Sequence, residues 1–241
     1  MTELELQELH TNIQQVQFRI AQAAERSGRK PTDIQLVAAS KMNNAERIRA
    51  AVQNGVCTMG ENRVQELLEK YDQNAYIGAN LHFIGTLQTN KVKYLMGKVS
   101  LIHSVGSVKL GSCIAKEAQK HNICQDILIE VNIGSEPAKS GVLPEDLEPT
   151  IEQLCALQGI RIRGLMAIPP IAHASGENLR YFDRMRQLFI DMTEKRYDNV
   201  SMDYLSMGMS GDFEDAISCG ANMVRIGSAI FGLRPYMKQL T

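Results

Sequence analysis

Apolar residues recur at steps of three and four from the start of the chain: Leu6, Leu9, Ile13, Val16, Ile20 and Ala23. That period places them on one face of a helix. Ser27-Gly28 and then Pro31 stop it, because glycine accepts a left-handed cap and proline cannot continue the helix. The pattern then changes. Ile34–Ser40 is a short, nearly continuous apolar run, which suits a strand buried on both faces. After Lys41, Asn43 or Asn44 caps a helix that faces inward through Ile48, Ala51 and Val52, and Asn54-Gly55 closes it.

The alternation persists along the chain. Further strands are predicted at Val56–Met59, Leu81–Ile84, Leu101–Val105, Asp126–Asn132, Ile160–Ala167, Asp203–Met207 and Asn222–Ile226. Helical spacing separates them, at Val64/Leu67/Leu68/Tyr71, Val92/Leu95/Met96, Val108/Ile114/Ala118, Leu147/Ile151/Leu154, Leu179/Phe182/Met185/Phe189 and Phe213/Ala216/Ile217. Strands alternating with helices imply a parallel sheet, and at roughly 30 residues per βα unit they fill the length. The α/β architecture expected is one closed (β/α)8 TIM barrel over residues 1–241, with an extra N-terminal helix. An open doubly wound sheet is the rival, and it seldom needs so many evenly spaced units.

Composition narrows the function. Lys plus Arg number 26 against 27 for Asp plus Glu, which argues against a nucleic-acid surface. The five cysteines are odd in number and form no C-x-x-C pair, so a disulfide framework or thiolate zinc site is not expected. They are expected to pack as small apolar residues, with Cys57 and Cys219 within reach of oxidants. The acidic N-terminus lacks the layout of a signal peptide, and no apolar run nears the ~18 residues that span a bilayer. A cytoplasmic protein is the expectation.

In barrels of this kind chemistry gathers on the loops that follow the strands. Ser206–Gly211 and Arg225–Ile230 each place small residues before a helix, where free N–H groups and the positive dipole end attract an anion. Ser210 and Ser228 add hydroxyls there, and Gly227 lets backbone approach; the same residues also serve as plain caps and turns. Barrel closure makes strand one the neighbour of strand eight, so Lys41 should stand near that cradle. Such a lysine is a solvated charge, a phosphate contact, or a deprotonated amine that forms an imine with a carbonyl. An imine-forming lysine beside a phosphate cradle is what pyridoxal 5'-phosphate (PLP) requires. His82 and His103 sit at strand ends without metal-ligand spacing, and Glu61 reads as a general base or a helix-start carboxylate.

The motifs LVAASK ending at Lys41, GENRVQE from Gly60, HFIGTLQTNK from His82, IHSV from Ile102, GLMAIP from Gly164, LSMGMSGDFEDAI from Leu205 and VRIGSAIFG from Val224 occur together and in this order. The set resembles the pyridoxal phosphate homeostasis proteins, also called proline synthase co-transcribed proteins, over nearly the whole chain. The resemblance implies an alanine racemase-like barrel that holds PLP as a Schiff base on Lys41. It implies that Ser210, Gly227 and Ser228 bind the phosphate, that Arg225 faces the pyridine nitrogen, and that Asn62 and His82 lie near the cofactor. Three positions depart from the family pattern: SKMNN stands for SKTKP, Thr86 for a histidine, and Leu81 for a tryptophan.

The expected role is non-enzymatic handling of PLP in vitamin B6 and amino-acid homeostasis, with PLP and PLP-dependent apoenzymes as partners and a monomer as the state. The alternative is a PLP-dependent amino-acid racemase; a further rival is a barrel enzyme acting on another phosphorylated aldehyde. The related racemase draws an opposing tyrosine from a C-terminal β-domain, which a chain ending at Thr241 is expected to lack. Tyr204 and Tyr236 are the substitutes the sequence offers, and nothing in it positions them.

Overall fold

The structure, a computed structural model, describes residues 1–232 apart from 173 and 175. A long helix, α1 (Glu3–Arg26), leads into β1 (Gln35–Ala39), α2 (Ala45–Gln53), β2 (Thr58–Glu61), α3 (Val64–Asp72) and β3 (Asn80–Phe83). Then come β4 (Leu101–Val105), α4 (Val108–Lys120), β5 (Gln125–Val131), α5 (Leu147–Cys155) and β6 (Ile160–Ala167). The chain continues through α6 (Leu179–Glu194), β7 (Val200–Ser206), α7 (Phe213–Ser218), β8 (Met223–Ile226) and a short α8 (Ser228–Phe231). The eight strands form a closed parallel barrel in sequence order, β8 returning to β1 through Gln35↔Met223 to Ala38↔Ile226. The barrel and its extra helix are those the alternation predicts.

The first helix starts at a reciprocal cap: the Thr2 N–H donates to Glu5 Oε2 at 2.7 Å, and the Glu5 N–H to Thr2 Oγ1 at 3.2 Å. Leu9, Ile13, Val16, Ile20 and Ala23 are buried as their spacing requires. Leu6, by contrast, is 41% exposed, and residues 2–8 are all exposed, although the N-terminal ammonium of Met1 pairs with Glu46 of α2. Arg19 ties α1 to α7 through Glu214 at 2.8 Å, and Asn12 Nδ2 donates to the Ile230 carbonyl of α8 at 3.1 Å. Asn44, not Asn43, caps α2, accepting from the Arg47 N–H at 2.9 Å.

Three expectations need correction. Between β3 and β4 the predicted helix is a 3₁₀ run, Thr89–Tyr94. Its i→i−3 bonds, Lys91 to Gln88 and Leu95 to Val92, bring Val92, Leu95 and Met96 to the core before the turn at Gly97. Strand β7 begins at Val200 rather than Asp203, pairing with Ile162 before the register shifts at Gly164. Gly164 has φ +141°, and a Cβ there would stand 1.9 Å from the Tyr204 carbonyl oxygen, so the shift needs glycine. Among the cysteines, Cys57 and Cys124 are exposed while Cys219 is buried. Burial pushes the Cys219 thiol up to about 11, which takes it out of reach as a thiolate.

Strand alternation sends successive side chains to opposite sides of the barrel wall. Val37, Leu101, Leu128, Met166 and Met223 close the interior as an apolar stratum, while a larger core lies between wall and helices. Among the described residues no helix is long and apolar enough to cross a membrane.

Candidate functional site

Two residues beyond the apolar stratum, the same strands turn polar: Leu101 is followed by His103, Leu128 by Glu130, Tyr204 by Ser206 and Met223 by Arg225. All four polar residues are buried. Arg225 Nη1 donates to Ser206 Oγ at 2.6 Å, and Nη2 donates to the Ala167 carbonyl at 2.9 Å. His103 Nδ1 lies 3.1 Å from Ser206 Oγ, and its Nε2 lies 3.0 Å from His82 Nδ1. A chain of hydrogen bonds thus runs from the β3 side of the interior to the β8 guanidinium.

The charges along it follow from burial. Desolvation pushes His82 down to about 4. It pushes His103 well down too, helped by the neighbouring His82 and Arg225. Both rings are therefore neutral near pH 7, and one ring N–H serves the contact between them. Burial lowers Arg225 to about 10, against the opposing pull of Glu130 and Asp212, so its guanidinium stays charged. Glu130 takes one hydrogen bond, from Ser140 Oγ to Oε1 at 3.0 Å, and its Oε2 has none. Burial raises this carboxyl, although Ser140 and Arg225 work the other way.

Above this layer the strand ends build the mouth. Ser210 Oγ accepts the N–H groups of Gly227 and Ala229, each at 3.3 Å. Its loop is shaped by Gly208 at φ +91°, where a Cβ would lie 2.6 Å from Ala216 Cβ. The Gly208 carbonyl accepts the Arg225 N–H at 3.0 Å, and Asp212 Oδ1 accepts the Met209 N–H at 2.7 Å. Ser228 is exposed on the same turn. Gly227 lies against β1, since a Cβ there would meet Ala39 Cβ at 3.4 Å. The half-buried Lys41 follows Ala39 by two residues and so leaves β1 beside this cradle. Asn62 follows β2, and its Oδ1 is buried with no hydrogen-bond partner.

Lys41, Asn62, Arg225, Ser210, Gly227 and Ser228 thus occupy one end of the barrel, while His82 lies below them against His103. Glu61 belongs elsewhere. It is wholly buried on the outer side of β2, bonded to Ser40, Lys70 and Tyr76, which leaves no room for a general base at the mouth. Tyr204 packs against the apolar stratum, beneath Ser206, and Tyr236 lies outside the described residues. Glu130 was missed in the sequence, and Ser206 enters there only as the first residue of the Ser206–Gly211 segment; the two-residue step from an inward Tyr204 or Leu128 is the signal that gives their inward place. At the opposite pole a cleft of about 600 Å³ opens between the β3, β4 and β5 starts. Asp126 on its wall is engaged by Arg161 and Arg163, at 2.8 and 2.6 Å.

The family model of the alanine racemase N-terminal domain matches residues 6–235. A pyridoxal phosphate homeostasis protein of Aquifex aeolicus is 47% identical over 224 residues, 93% of this chain and 97% of that one. The crystal structure of an unknown protein from Bifidobacterium adolescentis superimposes with a TM-score of 0.91 at 32% identity, covering 96% and 97% of the two chains. PipY of Synechococcus elongatus, solved with PLP bound, gives a TM-score of 0.77 at 32% identity over 88% of this chain and all of that one. Barrel, motif order and near full-length identity agree: the chain belongs to the pyridoxal phosphate homeostasis protein family.

Proposed function

We propose that this chain binds PLP at the C-terminal mouth of its barrel, held as a Schiff base on Lys41, and handles the cofactor without turning over amino acids. One observation carries the reading. The single stretch Arg225–Ala229 presents a buried guanidinium and, two to four residues on, two N–H groups gathered around one hydroxyl. Those bonds are long, at 3.3 Å each, so an anion of higher charge density displaces Ser210 Oγ, which then turns to donate. The orphaned Asn62 Oδ1 supplies an acceptor that a polar ligand edge satisfies.

On this reading Lys41 would hold the cofactor through its amine, an imine taking the place of the aldehyde C=O with the oxygen lost as water. Bound, the cofactor supplies a reactive aldehyde and an electron-accepting ring. Arg225 has only donor hydrogens and stays charged, so if it faced the ring nitrogen it would withhold the proton that makes the ring a strong electron sink. The relatives' name, homeostasis protein, supports holding over chemistry.

Borohydride reduction of the PLP-loaded protein should fix the label on the peptide containing Lys41, and Lys41→Ala should lose the visible imine band. A label on another lysine overturns the assignment. Pyridoxal without its phosphate should bind far more weakly than PLP; equal affinity removes the cradle. Single-enantiomer amino acids in deuterium oxide should keep their α-protons. Exchange at enzyme-like rates, abolished by Lys41→Ala, would establish the racemase-like alternative.

A further inference from the structure

Behind Lys41, on the outer side of β1, lies a cluster of charges that the cofactor site does not use. Ser40 is wholly buried. Its hydroxyl donates to Glu61 Oε1 at 2.7 Å, and its carbonyl accepts from Lys70 Nζ at 3.2 Å. Lys70 Nζ also donates to Glu61 Oε1 at 2.6 Å and to Glu66 Oε2 at 3.3 Å. The Tyr76 hydroxyl adds a third bond to Glu61 Oε1, at 3.0 Å. On the far side of Lys41, the Met42 N–H donates to Glu66 Oε2 at 2.9 Å. The residues immediately before and after Lys41 are therefore tied to one ammonium and its two carboxylates.

Packing alone does not call for this arrangement. Lys70 is 7% exposed and Glu61 is 0% exposed, and a buried ion cluster generally stabilises no better than apolar residues of the same volume. Met42, moreover, sits at φ +63°, a left-handed conformation that a residue with a long side chain rarely adopts. Such a conformation persists only where its surroundings over-determine it, and here the Glu66 bond grips the strained amide. The hydroxyl and carbonyl of Ser40 and the amide of Met42 bracket the one residue whose aim matters for an imine.

We propose that Lys70, acting through Glu61 and Glu66, is a positioning residue that fixes the backbone on both sides of Lys41 and so aims its amine at the cofactor's aldehyde. The inference rests on the PLP reading above. Lys70 touches neither the mouth nor the cradle, so its loss should spare phosphate recognition and weaken imine formation.

The test compares wild type with Lys70→Met, Glu66→Ala and Glu66→Gln. Pyridoxine 5'-phosphate, which has the ring and phosphate but no aldehyde, measures the pocket alone. PLP, followed by its visible imine band and by borohydride trapping at Lys41, measures aim. Lys70→Met and Glu66→Ala should bind pyridoxine phosphate within about twofold of wild type while the imine equilibrium falls roughly tenfold or more, the scale of a lost reactive alignment. Glu66→Gln keeps an oxygen for the Met42 N–H and should keep most of the imine. If Lys70→Met does not fold, the Glu66 pair decides. Wild-type imine levels in Glu66→Ala, or equal losses in Ala and Gln, overturn the proposal. Absence of a Lys41 imine in wild type instead defeats the PLP reading itself.

Discussion

The barrel interior holds two strata that the same strands build two residues apart, and they obey opposite rules. Leu101, Leu128 and Met223 lie in a layer where nothing needs a partner. Two residues further along those strands, His103, Glu130 and Arg225 are also buried, and each polar atom left unpaired carries a desolvation penalty. Arg225, Ser206, His103 and His82 meet that penalty by bonding to one another. Glu130 Oε2 and Asn62 Oδ1 are among the buried polar atoms left without a partner, and these two belong to the end of the barrel where a ligand would sit. The lower stratum closes the fold; the upper one keeps charge and neutral acceptors in fixed places.

The lower stratum is where stability is most exposed to damage. Leu128→Ala removes a wholly buried side chain from a closed barrel whose wall has little freedom to collapse. The expected cost is about 2–5 kcal/mol, read as a lower urea midpoint with an unchanged slope. A loss below ~1 kcal/mol would mean that this layer is loosely packed.

The upper stratum should reveal itself through acid. His82 titrates near 6.5 when unfolded and at about 4 in the fold, so the unfolded chain takes the proton first. Stability then falls as pH drops through 6.5 toward 4, by something on the order of 3 kcal/mol from this ring. His82→Gln keeps an acceptor toward His103 and should flatten that part of the stability–pH curve. An unchanged slope between those limits would locate the acid sensitivity in other groups.

How far this was legible in sequence depends on the period that carries each part. The strands and helices follow from apolar spacing, and barrel closure from their regular alternation. Lys41 and the Ser210/Gly227 turn were visible because they sit at strand ends, where the fold keeps its chemistry. The inward direction of Ser206 and Glu130 was not, since a serine or glutamate beside an apolar run looks outward until the register is known. Glu61 shows the converse. It stands at a strand end, yet a one-residue difference in phase from Asn62 turns it to the outer wall and to Lys70. The 3₁₀ run before β4 was misread because Val92, Leu95 and Met96 fit a helical period equally well.

A narrower cut goes through the hydrogen-bond chain itself. Ser206→Ala leaves Arg225 Nη1 and His103 Nδ1 without their shared partner in the dry interior. The expected destabilisation is about 1–3 kcal/mol, below that of Leu128→Ala, with no cavity large enough to add to it. Thermal and urea melts of the cofactor-free variant check this. A neutral result would show that water reaches the upper stratum, and the contrast between the layers would then rest on solvation.

The smallest effect is expected at Glu130, and its sign is informative. Burial raises this carboxyl in the fold, against weaker pulls from Ser140 and Arg225, so the folded chain binds the proton more readily than the unfolded one. A raised acid subtracts from stability as pH climbs above the ordinary carboxylate range, and subtracts nothing once both states are protonated. Glu130→Gln removes the titration, keeps an oxygen for the Ser140 hydroxyl, and gives up the attraction to Arg225. Those effects oppose each other, and the raised carboxyl says that burial wins. The variant should therefore equal or slightly exceed wild-type stability at neutral pH, by less than ~1 kcal/mol, with the difference fading below pH ~4. Paired melts across that range provide the measurement. A clear loss at neutral pH, vanishing in acid, would mean that the Glu130 charge is held by Arg225 and that the upper stratum is an ion pair as much as a hydrogen-bond chain.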